Sequence, residues 1–324
     1  MSLRLVGSLL AIAAALLWGT SWVATGVALR AFDPLAVAAW RGIGTTLLMA
    51  LLLGSGRLGG RLSGRADGRA DGVVPPMRGR LARLLVLALL GGVLFVIGMS
   101  LSISLTGATM TAFIGGLYPV VAAVAAPLVL PERPSRVALG SLVVAFAGVL
   151  VLAGFDPTGF QPLGLVIGLG VASSFAGFLL LTRRWSGPWH LSAPVVTLAN
   201  FALLSLVAGP LAMLMESNGL LPSSVDPGAL LAILWLWVGA GVLAHLFVIG
   251  SVRRLPAHES SAYLLLNPLI AALLAAPLLD ERLSPVQLSG AVLVLTGIAV
   301  ATILGARASR STMRGPDASH DSAH

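Results

Sequence analysis

Ten stretches of roughly twenty apolar residues, with nearly all of the arginines in the segments between and after them, occupy this chain from Leu5 to Leu304. Each is long enough to cross a hydrocarbon core of about 30 Å as a helix, and a bilayer permits little else, because it offers no water to unpaired backbone groups. The ten spans are expected at 5–29, 34–54, 81–102, 108–130, 135–153, 162–182, 192–215, 229–252, 259–279 and 284–304. Hydrophobic residues make up 57% of the 324 and charged residues 10%, too few polar groups to cover a water-facing surface. The expected fold class is an all-α integral membrane protein. The first stretch is too long for a cleaved signal peptide and lacks a small-residue cleavage site at its end, so it reads as a retained anchor.

A net charge of +8 would suggest a nucleic-acid partner in a soluble protein. Here the basic residues sit between apolar runs, where they act as topology signals, and no nucleic-acid partner is expected. All 20 are Arg, which reads as genomic codon bias. With the N-terminus in the cytoplasm, 17 of the 20 face inward, Arg30 and Arg282 face outward, and Arg41 lies within a span. The opposite orientation would invert this imbalance, so both termini are expected in the cytoplasm of a bacterial cell. There is no cysteine, which excludes disulfides and thiol chemistry.

The second constraint is duplication. An offset of 149 carries Pro119 to Pro268, Glu132 to Glu281, Arg133 to Arg282, Ser135 to Ser284 and Gly148 to Gly297, with 13 identities over the 33 positions 119–151. Five spans per copy is an odd number, so the second copy enters the membrane from the opposite side. The expectation is ten transmembrane helices in two inverted five-helix repeats, 1–154 and 155–304. Inverted repeats with a site between them at mid-membrane are a recurring design of secondary transporters. The loop at 55–80, with its Gly-Arg-Ala-Asp repeats, and the tail at 305–324 are too polar to bury a core and are expected to be disordered. His320 and His324 in that tail read as tail residues rather than metal ligands.

Trp18-Gly19-Thr20-Ser21-Trp22 in the first span, Pro34 followed by Ala38-Ala39-Trp40-Arg41 in the second, and the duplicated Pro…Glu-Arg…Gly segments resemble the EamA type of the drug/metabolite transporter superfamily. The resemblance covers nearly all of residues 5–304. It implies a carrier of small metabolites or amino acids, usually outward. The sequence departs from the pattern at Ser173-Ser174-Phe175, which stands where the first half has Leu17-Trp18-Gly19.

Polar residues inside spans are where a substrate site is sought, since lipid does not tolerate them without a reason. Arg41, seven residues past Pro34, is either an anchor for a substrate carboxylate or phosphate or a snorkelling or structural cation. Trp18, Ser21, Trp22 and Thr25 share one helix face, for a pocket or for packing, with Gly19 beside them as the small residue that packing uses. Pro119 and Pro268 are expected to kink spans four and nine and free backbone carbonyls, with Tyr118 and Asn267 adding polar groups at the same depth. His245 is a proton relay or a hydrogen bond to a neighbouring helix, and Asn200 has the same two readings. Every carboxylate lies in a loop, a tail or at a span end. Transport is then facilitated diffusion or exchange, or else His245 is the internal proton site.

No His-Glu-x-x-His, Gly-x-Ser-x-Gly or intramembrane carboxylate pair is present, so an enzyme is not expected, nor a cofactor or metal. No rings of charge or filter-like repeats suggest a channel. A secondary transporter working by alternating access, as a monomer or homodimer, is the leading expectation. A non-transporting membrane scaffold or sensor is the alternative.

Overall fold

The computed structural model describes residues 3–55, 76–130, 136–153, 161–185, 188–189, 191–252, 263 and 266–313. Among these the backbone is helical apart from short turns. The helices are α1 (Leu3–Ala28), α2 (Pro34–Gly54), α3 (Met77–Ala88), α4 (Phe95–Thr106), α5 (Ala108–Gly115), α6 (Tyr118–Val129), α7 (Arg136–Ala153), α8 (Pro162–Trp185), α9 (Ala193–Met215), α10 (Pro227–Trp235), α11 (Ala244–Val252), α12 (Leu266–Leu279) and α13 (Pro285–Met313). Wider π-helical turns at Leu89–Leu94 and Leu236–Leu243 join α3 to α4 and α10 to α11.

Seven helical segments are long and apolar enough to cross a membrane: Leu5–Ala28, Pro34–Gly54, Met77–Thr106, Ala108–Val129, Pro162–Trp185, Ala193–Met215 and Pro227–Val248. The apolar helices Leu139–Leu152, Leu266–Leu279 and Pro285–Val300 are shorter. The described residues thus carry seven spans where the sequence suggested ten. The third span begins at Met77 and runs to Thr106, wider than expected at both ends. The last helix continues to Met313, into the segment expected to be disordered. One glycine, Gly305, costs a helix only about 1 kcal/mol, and the Ala- and Arg-bearing stretch after it propagates the helix. The loop at 56–75, the tail at 314–324 and Glu132, Arg133 and Glu259 lie outside the described residues.

Pro119 does not kink a continuous helix. The chain turns at Gly116-Leu117 and Pro119 opens α6, in the first turn where a missing N–H leaves no bond unmade. Pro268 lies two residues into the described part of α12, and residues 264–265 before it are outside the described residues. The two π-helical turns are at matching places, since 89–94 plus 149 gives 238–243. Both are glycine-bearing, and a π turn commonly marks a functional site.

Between helices the cores are rich in alanine. One cluster joins Ala28, Ala31, Ala36, Ala212, Ala229, Ala232 and Ala240 with Phe32 and Leu236. The large apolar side chains point outward, as with Leu51, Leu206, Leu214 and Leu273. This inside-out pattern follows from the solvent: lipid is as apolar as leucine, so helices associate through close contact of small residues and hydrogen bonds. Helices α7 and α13 show it most sharply. A Cβ on Gly148 would stand 2.6 Å from the Val294 nitrogen, and one on Gly290 2.8 Å from the Gly148 oxygen.

Candidate functional site

A cavity of about 490 Å³ opens in the middle of the bundle. Of the residues expected at a site, Trp18, Ser21 and Trp22 of α1 and Arg41 of α2 line it. So do Tyr118 of α6, Asn200 of α9, His245 of α11 and Asn267 of α12. Pro119 and Pro268 do not; they set the backbone that brings Tyr118 and Asn267 to the wall. Thr25 shares the face of Trp18 and Trp22, but is fully buried and donates to the Ser21 carbonyl at 2.8 Å. The Ser21 hydroxyl in turn donates to the Trp18 carbonyl at 2.6 Å, so its proton is engaged within its own helix.

Arg41 is only 4% exposed, and its nearest polar contact is a long one from Nη1 to the Met99 sulfur at 3.9 Å. Its Nε has no partner among the described residues. The amide oxygens of Asn200 and Asn267 and the Ser251 hydroxyl are buried without partners too, and all three residues line the same cavity. Leaving such groups unpaired costs free energy, which a bound polar solute recovers. The planar guanidinium offers a fork of donors suited to a carboxylate or phosphate.

The rest of the wall is aromatic. Phe175 stands 4.7 Å from Phe95, 4.9 Å from Tyr118 and 5.6 Å from Phe178, ring centre to ring centre. Trp22 lies edge-on to Phe95 and enters a recess left by Gly115, where a Cβ would meet its ring at 2.6 Å. Phe95, Phe175 and Phe178 were missed in the sequence. The available signal was the i, i+3 spacing of Phe175 and Phe178, which puts both rings on one face of α8. Gly19 is the packing residue, with a Cβ there standing 2.7 Å from Ile270 of α12.

His245 Nδ1 lies 2.6 Å from the Gly241 carbonyl in the second π turn. A carbonyl only accepts, so Nδ1 carries the proton and a neutral ring keeps Nε2 as an acceptor. Trp18 and Phe201 pack edge-on to it at 5.3 and 5.6 Å. The first π turn brings Gly91 to the cavity and fits Gly92 against the backbone of Asn200.

The cavity lining runs from mid-bundle towards the end that carries Thr182, Ala193 and Ser251, and includes no residue from the first turns of α2 or α5. That opposite end is joined by polar ties. The Glu216 carboxylate accepts from the Leu35 and Ala36 N–H groups at 2.6 and 2.9 Å. Glu281 accepts from those of Ala108 and Thr109 at 2.7 and 2.8 Å. Burial pushes the Glu216 carboxyl above the usual carboxylate range, the two N–H bonds pull it back, and the Asp33 charge adds to the upward push.

The EamA-like transporter family model matches this chain over residues 5–154 and again over 162–303. Protein PecM of Dickeya dadantii (strain 3937) is 27% identical over 284 residues, 87% of this chain and 88% of that protein. An uncharacterized transporter of Bacillus subtilis (strain 168), YwfM, is 26% identical over 188 residues, 57% of this chain and 61% of its own length. A solved crystal structure with 20% sequence identity superposes with a TM-score of 0.61 over 94% of this chain and 99% of its own, a likeness of fold. Matched by that family in both halves, and built of apolar helices around a polar-studded cavity, the chain belongs to the EamA-like transporter family.

Proposed function

We propose that this protein is a secondary transporter that carries a small organic solute, a metabolite or amino acid bearing an anionic group and an apolar or aromatic body, out of the cell by alternating access. The observation that carries the reading is Arg41, a buried cation with an unpartnered Nε on the wall of a cavity large enough for such a solute. An uncompensated cation at this depth is costly to keep, and an anionic ligand compensates it. The aromatic wall of Trp18, Trp22, Phe95 and Phe175 suits the apolar body.

On this reading the chain is a ten-span protein of two inverted repeats, 1–154 and 155–304, with both termini in the cytoplasm, working within the lipid bilayer without enzymatic chemistry. The cavity then opens to the cytoplasm, and the end held by Glu216 and Glu281 faces outward. Reconstituted protein is expected to support counterflow of at least one solute from a panel of anionic and zwitterionic metabolites. A folded protein that moves none of them is a scaffold or sensor instead. Topology is checked separately by single cysteines in this cysteine-free chain. A cysteine at Glu281 is expected to react with an impermeant thiol reagent outside intact cells and one at Glu132 is not; the reverse pattern reverses the orientation of the chain, and reaction of both removes the inverted-repeat arrangement.

A further inference from the structure

We infer that Glu216 and Glu281 are the gate residues of the outward end, two carboxylate clasps that join the repeats and must let go for the cavity to open on that side. Each clasp is a bidentate contact with the N-terminus of a helix far away in sequence. Glu216 reaches back 181 and 180 residues to Leu35 and Ala36, and Glu281 reaches 173 and 172 residues to Ala108 and Thr109. Both helices lack a cap of their own. Asp33 is at the N-cap position of α2, where its side chain would ordinarily take these N–H groups, yet it makes no cap bond and its Oδ2 is buried without a partner. Helix α5 is preceded by Gly107, which has no side chain to offer. The two helix starts are thus completed by the other repeat, and each carboxylate sits where the helix dipole favours negative charge.

The seat of Glu281 is shaped on both sides. Asp280 adopts φ 56° and ends α12 in the left-handed turn that presents Glu281. Gly107 has φ 83°, and a Cβ there would stand 2.8 Å from Glu281 Oε1, so conformation and space both demand glycine. Other ties close the same end. Trp40 Nε1 donates to the Leu220 carbonyl at 2.8 Å, the Ser223 N–H donates to the Ala31 carbonyl at 2.7 Å, and Arg30 donates to the Leu278 carbonyl. Asp226 takes the Gly228 and Ala229 N–H groups of its own helix, but among the described ties between the repeats the two glutamates are the ones that set a carboxylate on paired N–H groups, and hydrogen bonds to a charged group are the strong ones. Opening this end separates α2 from the end of α9 and α5 from the turn after α12, which breaks both clasps and leaves water to serve the freed N–H groups.

The test is side-specific access to the cavity. Thr197, on the cavity wall, is replaced by cysteine in the otherwise cysteine-free protein, and its reaction with an impermeant methanethiosulfonate is timed in right-side-out and inside-out vesicles. Glu216→Gln and Glu281→Gln keep the shape but set an amide NH2 against a backbone donor. Each is expected to raise labelling from the outward side by about tenfold or more, the equivalent of one charged hydrogen bond, and the double variant by more, while labelling from the cytoplasmic side falls. An unchanged outward rate in a folded double variant overturns the assignment. Should the variants misfold, hydrogen exchange on the unaltered protein decides. The amides of Leu35, Ala36, Ala108 and Thr109 are expected to exchange together and faster than those mid-way along α2; equal protection along α2 overturns the gate. This inference rests on the carrier reading, but it is read by access rather than flux. A protein that moves no solute fails the counterflow assay, whereas misassigned clasps fail only here.

Discussion

Arg41→Ala is expected to leave the protein in the membrane and folded, and to reduce transport on the order of 100-fold or more, the equivalent of one or two charge-assisted hydrogen bonds at roughly 1.5–3 kcal/mol each. Stability should survive because the native side chain forms no ion pair among the described residues. Among the described residues its polar contact is the 3.9 Å approach to Met99 and its Nε is unpartnered, so alanine removes a desolvated charge without orphaning an opposite one. Transport should not survive, because the other ionisable residues on the cavity wall, His245 and Tyr118, offer no fixed positive charge. Arg41→Lys keeps the charge but loses the planar fork, and an intermediate rate is expected. Initial rates of counterflow, set against the amount of monodisperse protein, separate the three. Normal transport by Arg41→Ala would make Arg41 a structural cation and remove the anionic-solute reading.

The second large effect is on the fold. Gly290→Leu is expected to lower the melting temperature in detergent markedly, by the equivalent of ~1–3 kcal/mol or more for overpacking against main chain. At Gly290 the nearest atoms are backbone of the facing helix, with Gly148 O at 2.8 Å and Leu152 Cα at 2.9 Å from an added Cβ. Backbone cannot rotate aside as a side chain can, so α7 and α13 must part, and in lipid that contact is what holds them. Gly140→Leu on α7 is the control. Nothing lies within 4 Å of a Cβ there, so that change should be neutral or slightly stabilising through helix propensity. Equal melting of the two variants would show that close approach at Gly290 contributes nothing.

Sequence determined the course of most helices and named eight of the residues on the cavity wall, Trp18, Ser21, Trp22, Arg41, Tyr118, Asn200, His245 and Asn267, for a simple reason. A bilayer admits so few backbone solutions that apolar run length places helices within a few residues, as with Pro34–Gly54, while rare polar groups inside those runs, such as Arg41, Asn200 and His245, stand out against the apolar background. The internal offset of 149 was equally legible, because repeats preserve spacing. What only tertiary structure decided is which distant groups meet. A helix start without a local cap gives no hint that a glutamate some 170 to 180 residues on completes it, so Glu216 and Glu281 looked like ordinary span-end charges. Phe95, Phe175 and Phe178 were hidden among apolar residues that mean lipid as readily as cavity until their facing was known. Proline's effect also waited on the fold. The residue that breaks a helix in mid-run also starts one well, and the turn at Gly116-Leu117 made Pro119 a beginning rather than a kink.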